Sequence, residues 1–311
     1  MLKKWVLKAI VQKTISFLPY SQQLNYLFQK YVTKGVHLSD DYFSDRLLHA
    51  KEHIAAYQQQ AGSMEGKTTL ELGTGWYPVV PIALFLSGAD HIYTTDISRL
   101  SHAGHLATTI RRFLEYANAG QLENYVQALP HRLAVLREIN ANSSELSFET
   151  MLDKLKMHYL VQDARQLPLP DASVDLVHSN NTFEHVYPAI LKALLLEFKR
   201  IAAPGGVLSH FIDMSDHFAH FDRTITIYNY LRFSDRTWAW IDNSIQPQNR
   251  FRLSEYRKLY AELGIPITDL SCRPGDLEAL ASVRLNEKYR AFDQSDLAVS
   301  HCLVVSKMSF K

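Results

Sequence analysis

Two groups of residues in this 311-residue chain have types and spacings suited to chemistry. The first is Glu71-Leu72-Gly73-Thr74-Gly75, followed downstream by Asp96. The apolar run into Leu70 and Leu72 suits a buried parallel strand, and Gly73 and Gly75 let the backbone turn tightly beside a ligand. Pro78 suits the first turn of a following helix. Asp96 ends a short β-like run, residues 91–95, and lies 21 residues after Gly75. That is about where an acid meets ribose hydroxyls in dinucleotide-type folds. The second group is residues 210–222, HFIDMSDHFAHFD, with three histidines among three aspartates. If residues 207–213 form a strand, alternation puts Ser209, Phe211 and Asp213 on one face and His210 on the other. His217 then lies past the strand end, where an imidazole titrating near neutrality suits a general base and Asp213 can orient it or an acceptor. The plainer reading is that these groups only hydrogen-bond a loop. His210, Asp213, Asp216, His217, His220 and Asp222 are also metal-ligand types, but their spacing matches no metal motif and no metal is expected.

Elements that would position these residues can be read along the chain. Residues 69–98 form one unit of strand, glycine turn, helix and second strand. Residues 102–119 and 130–156 read as helical, an insertion longer than one connecting helix needs. A short apolar strand leads to Asp163-Ala164, and a proline-punctuated loop leads to a strand at residues 174–177. Residues 189–201 read as a helix, and Pro204-Gly205-Gly206 as a turn before the strand at 207–213. Residues 254–263 follow as a helix with Ser254 as N-cap, and strands near 265–270 and 297–306 finish a sheet. Residues 214–252 form a second insertion rich in aromatics and arginine, suited either to clasping a bulky anionic small molecule or to a dimer surface.

Glu71, Gly73 and Gly75 resemble the first motif of the class I S-adenosylmethionine-dependent methyltransferases, E/D-x-G-x-G-x-G, with Tyr77 in place of the third glycine. The resemblance continues over roughly residues 66–213. It takes in Asp163-Ala164, the segment SNNTFEHV at 179–186, which is similar to an S-x-x-x-x-E-H pattern after the fourth strand, and Pro204-Gly205-Gly206. It implies an α/β, Rossmann-like seven-stranded sheet, mostly parallel with an antiparallel last strand, and helices on both faces. It also implies S-adenosylmethionine as cofactor. By position Glu71 and Gly73, Thr74 and Gly75 would hold its methionine end, Asp96 with Ile97 beside it the ribose, and Asp163 and Ala164 the adenine. Asn180 and Asn181 would face the sulfonium. Asp96 as a helix cap and Asp163 as a solvated turn acid are the plain alternatives. The pair Glu184-His185 is common to members with different acceptors, which implies a structural role.

Asn180-Asn181-Thr182-Phe183 stands where many DNA and protein nitrogen methyltransferases carry N-P-P-Y, so a small-molecule acceptor is expected, with oxygen favoured over nitrogen. A glycan, lipid-linked or natural-product intermediate would suit. A nicotinamide-dependent oxidoreductase is disfavoured by Pro78 at its third-glycine position. A catalytically inactive binding protein with the same fold is the remaining alternative.

With 33 basic and 32 acidic side chains the formal net charge is +1, which gives no reason to expect nucleic acid. The two cysteines, Cys272 and Cys302, read as buried thiols of a reducing compartment, and the chain as cytoplasmic. No stretch approaches the roughly 20 apolar residues of a membrane span. Residues 1–39 hold six lysines and no acid, and Leu2, Trp5, Val6, Ala9, Ile10 and Phe17 share a helical face interrupted by Lys13. Such a helix either caps the domain, with Leu24, Leu27, Phe28 and Tyr31 continuing the contact, or lies on an anionic membrane. The expected organisation is a helical extension over residues 1–60 and the catalytic domain over 61–311, with insertions near 102–156 and 214–252.

Overall fold

The computed structural model describes residues 3–18 and 37–309. The expected contacts of Leu24, Leu27, Phe28 and Tyr31 lie outside them.

Seven strands, β1 (Thr68–Leu72), β2 (His91–Asp96), β3 (Met157–Val161), β4 (Val174–Asn180), β5 (Ala202–Asp213), β6 (Asp269–Arg273) and β7 (His301–Lys307), form one sheet in the order β3-β2-β1-β4-β5-β7-β6. The pairs β3-β2, β2-β1, β1-β4 and β4-β5 are parallel, whereas β7 runs antiparallel to both β5 and β6. The order reverses between β1 and β4, and a crevice opens beyond the carboxyl ends of strands at such a point.

On one face of the sheet Ile92, Leu176, Val207, Phe211 and Val305 pack against α2 (Asp40–Ala61), α3 (Val79–Leu86) and α4 (Ala103–Asn118). On the other, Leu70, Leu72, Val177, Leu208 and Ile212 meet α7 (Pro188–Ile201) and α9 (Leu253–Glu262). All eight residues of α3 are buried, so its lack of polar residues reflects position under the glycine turn. Pro78 stands just before this helix as its N-cap.

Several sequence expectations are corrected. The helical stretch expected over 130–156 breaks into α5 (Pro130–Ala141) and α6 (Phe148–Lys154), because Asn142 ends the first and Ser147 caps the second through its hydroxyl. Residues 204–206 do not form a separate turn: they lie within β5, where Gly205 takes φ +77° and the β4–β5 register shifts. The N-cap of α9 is Arg252, not Ser254, and the Glu255 carboxylate accepts its N–H at 3.0 Å. Ser254 instead binds Asp296. The last two strands begin later than expected, since Leu297 belongs to the short helix α11 (Gln294–Ala298).

The aromatic insert also differs from its expectation. Phe218, Tyr228, Tyr230 and Trp238 turn inward to build a third core with Trp5 and Ala9 of α1 (Lys4–Ser16). Arg252 is fully buried and donates to the carbonyls of Met214, Leu297 and Val299. Arg250 donates to the carbonyls of Tyr230 and Phe233. These two guanidinium groups satisfy loop carbonyls that burial has removed from water, so they are not available to clasp an anion. No helix among the described residues is long and apolar enough to cross a membrane.

Candidate active site

The loops after β1, β2 and β4 meet at the switch point. Gly73 has φ +80° and Gly75 φ +68°, the left-handed region that a side chain disfavours. A Cβ on Gly73 would come within 2.5 Å of Thr182 Oγ1, so glycine lets the first loop lie against the loop after β4. Gly73 N–H donates to Thr95 O at 2.8 Å, and Gly75 N–H to Asp96 Oδ2 at 3.1 Å. Asp96 Oδ1 accepts from Ile97 N at 3.0 Å. The carboxylate therefore joins the glycine turn to the end of β2, and burial raises its pKa against the opposing pull of these N–H groups. Ile97 is exposed beside it.

Glu71 is 4% exposed. Its Oε1 accepts from Asn180 Nδ2 at 3.4 Å, and Oε2 has no partner. Burial pushes its carboxyl up to about 8, against the opposing charge of Arg46. Asn180 Oδ1 meets His53 Nε2 at 2.9 Å, while His53 Nδ1 meets Ser209 Oγ at 2.7 Å. Asn181 takes φ +47° and its buried Oδ1 is unpartnered. Thr74 Oγ1 is also buried without a partner.

The structure thus brings Glu71, Gly73, Thr74, Gly75, Asp96, Asn180 and Asn181 to neighbouring strand ends. Asp163 is placed differently: it lies in the turn after β3, its carboxylate gripped by Arg165. That turn still adjoins β2, because Gln162 N–H donates to Asp96 O at 2.9 Å. Ala164 is buried in the second core. Tyr77, at the third-glycine position, packs on the first core with its ring 4.9 Å from that of His105.

At the end of β5, Ser209 meets His53 while His210, on the opposite face, bonds Ser179 and stacks on Phe183. Asp213 is 5% exposed. His217 Nε2 lies 3.2 Å from its Oδ2, His220 Nε2 3.8 Å from the same oxygen, and His301 Nε2 3.4 Å from Oδ1. Burial alone would raise the Asp213 carboxyl, but His217 and His220 hold it well below the usual carboxylate range. The same contact raises the pKa of His220. His217 also lines a narrow cavity with Lys8 and Gln12 of α1 and with Trp238, Asn243, Gln246 and Gln248. His185, in the 3-10 turn Phe183–His185, binds Pro247 O through Nδ1 at 2.7 Å and so ties the post-β4 loop to the insert.

Sequence reasoning missed Arg46, whose charge acts on Glu71, and His53, which bonds Asn180 and Ser209. Both come from α2, which packs on β5 and β4. Nothing local in residues 40–61 distinguishes these side chains from other members of an amphipathic helix, and their placement is settled only by long-range packing.

Residues 120–210 match the sequence profile of the methyltransferase domain. That match runs from the end of α4 into β5, so it contains Asp163, Asn180 and Glu184 but not the glycine turn. Over residues 120–210, under a third of the chain, the sequence is similar to that domain, and the sheet order is that of a Rossmann-like α/β fold. No curated protein matches the chain in sequence.

Similar solved structures include geranyl diphosphate C-methyltransferase from Streptomyces coelicolor A3(2), at 13% identity and TM-score 0.45, with 82% of this chain and 78% of that one covered. An S-adenosylmethionine-dependent methyltransferase from Mesorhizobium loti shows 12% identity and TM-score 0.42, with 82% and 96% covered. A Bacillus halodurans C-125 protein described as a methyltransferase shows 16% identity and TM-score 0.43, with 83% and 100% covered.

Proposed function

We propose that this chain transfers the methyl group of S-adenosylmethionine to an oxygen of a small-molecule acceptor held at the ends of β4 and β5. The glycine turn suits the cofactor: two residues at positive φ leave backbone open to it, and Glu71 Oε2 and Thr74 Oγ1 are buried without partners. Glu71 and Gly73 to Gly75 would hold the methionine end, with Arg46 near enough to meet its carboxylate. Asp96 and Ile97 would take the ribose, Asp163 and Ala164 the adenine side, and Asn180 and Asn181 the sulfonium. The bound sulfonium supplies an electrophilic methyl carbon, so the protein has to align the acceptor and remove a proton.

The observation that carries the oxygen preference is the half-buried His217, whose Nε2 is held 3.2 Å from Asp213 Oδ2. A hydroxyl acceptor needs such a base, whereas an amine brings its own lone pair. Because Nε2 faces the Asp213 carboxylate, the hydroxyl proton would pass to the other ring nitrogen, Nδ1, as the oxygen bonds to the methyl carbon that the bound cofactor would supply with sulfur as the leaving group. Asp213 orients the ring and stabilises the imidazolium. The cavity beside His217 is lined by carboxamides, Phe218, Trp238, Lys8 and Asp242 and measures only about 10 Å³, so a polyhydroxylated acceptor such as a glycan or lipid-linked intermediate would have to displace α1 to reach the ring. Residues 1–60 would act as a cap on the catalytic domain of residues 61–311, and the outer face of α1 would touch an anionic membrane.

His217→Ala tests the reading. Removing a positioned base costs roughly 10²–10⁴-fold in rate, while cofactor affinity should stay unchanged. Turnover within about threefold of the parent, well short of that range, would make His217 a loop residue.

A further inference from the structure

We infer that Glu184, His185 and His217 form a binding site for a divalent transition-metal ion of zinc-like ligand preference, with Asp213 and His220 adjoining it. One ligand atom from each of the first three residues lies within 4.8 Å of the other two, and the same holds for Asp213, His217 and His220. His217 belongs to both groups. The sequence hid this arrangement because the ligands come from two loops, the one after β4 and the one after β5, and show no metal spacing along the chain.

Three observations go beyond proximity. Glu184 is 2% exposed, and neither carboxylate oxygen has a hydrogen-bond partner. A buried carboxylate in that condition must stay protonated or meet a cation. His217 Nε2 is buried as well and faces the Asp213 carboxylate at 3.2 Å, so this ring adds a second acid to the cluster. His185 is already in the tautomer a metal needs: its Nδ1 faces Pro247 O at 2.7 Å, and a carbonyl can only accept, so the proton sits on Nδ1 and the lone pair on Nε2. Metal-bound histidines are oriented this way, with the second ring nitrogen on a carbonyl or carboxylate. The His185 and His217 rings meet edge to face with centroids 4.8 Å apart. Imidazole with carboxylate suits zinc, iron or manganese better than magnesium or calcium, which prefer oxygen alone.

The site shares only His217 with the proposed function. A neutral imidazole has one lone pair, so ion and proton compete for the His217 ring.

Untagged protein, stripped with a chelator and titrated with Co²⁺ by visible absorption and with Zn²⁺ by calorimetry, tests the inference. Saturation at about one ion per chain with a ligand-field band is expected. Glu184→Gln and His185→Ala should each weaken binding by at least about 10–100-fold, the loss that even outer partners of such sites produce. Near-ultraviolet circular dichroism reports the fold of each variant, and the half-buried His185 serves if Glu184→Gln does not fold. Absence of binding, or saturable binding indifferent to His185→Ala, overturns the inference. No ion with turnover still lost in His217→Ala would defeat this inference alone, and a bound ion with turnover retained would defeat the proposed base alone.

Discussion

Glu71 is a carboxylate whose charge depends on what lies beside it. Burial raises its pKa to about 8 in the cofactor-free protein, so it is mostly protonated at pH 7. The ammonium group of a bound methionine moiety would favour the carboxylate, so binding should expel a proton. Linkage then sets the sign: an event that releases a proton is favoured by raising the pH. Affinity for S-adenosylmethionine should climb as pH rises towards 8, by at most about tenfold per unit, and level off above it. Calorimetry at pH 7 in buffers of different ionisation enthalpy should report proton release, and Glu71→Gln should bind more weakly with a flat profile. Proton uptake would remove Glu71 from the methionine end. Asp96 makes a simpler case: in the proposed role its two carboxylate oxygens would meet two ribose hydroxyls, each charge-assisted bond being worth about 1.5–3 kcal/mol. Asp96→Ala should therefore lower affinity by well over tenfold, and an unchanged titration of the folded variant would reject the assignment.

The glycine turn shows why part of the site was legible in the sequence. Gly73 and Gly75 follow an apolar strand directly, so local pattern fixes both their conformation and their place at the strand end. Asp96 is legible for the same reason, as the last residue of β2. The partner that makes Gly73 necessary is not local: Thr182 approaches from 109 residues downstream, and only the β1–β4 pairing puts it there. Gly73→Ala should cost the strain of positive φ, about 1–2 kcal/mol, plus the clash with Thr182. Adding Thr182→Ala should return the clash component and leave the strain, which paired denaturation curves would resolve; equal stability of the single and double variants would show that the loops simply move apart. What could not be read follows the same division. Arg46 and His53 come to the site through the packing of a 22-residue helix, and Arg250 and Arg252 of the insert turned inward because loop carbonyls needed donors. Breaks such as the one at 142–147 depend on a single cap, a weak signal inside a helical composition.

At the scale of the whole molecule, α1 has two opposed faces. Trp5 lies against Phe218 at 5.9 Å and Phe233 at 5.8 Å, its backbone N–H donates to Asp222, and Lys13 Nζ donates to the carbonyls of Ala239 and Asp242. This inner face closes the cavity that contains His217. Outward, Leu7, Ile10, Phe17 and Leu18 are exposed, as is Trp240 of α8 (Asp235–Ile241), and Lys3 and Lys4 are exposed on the same helical segment. Truncating a buried tryptophan costs about 3–5 kcal/mol, and here most of that loss falls on docking of α1 rather than on the sheet. Trp5→Ala should therefore raise the population with α1 undocked by about a hundredfold or more. Limited proteolysis within residues 3–18 should accelerate while the thermal transition of the sheet domain barely moves. The outer face makes its own demand. An apolar stripe beside lysines should bind anionic vesicles at low salt, bind neutral vesicles weakly, and release as ionic strength rises, since each lysine near the surface contributes only about 1 kcal/mol, screened by salt. Leu7→Glu with Ile10→Glu should abolish flotation without disturbing the fold, because both side chains are already in water. If the parent protein ignores anionic vesicles at every salt concentration while Trp5→Ala still frees α1, the helix is a cap alone, and the acceptor reaches His217 from solution.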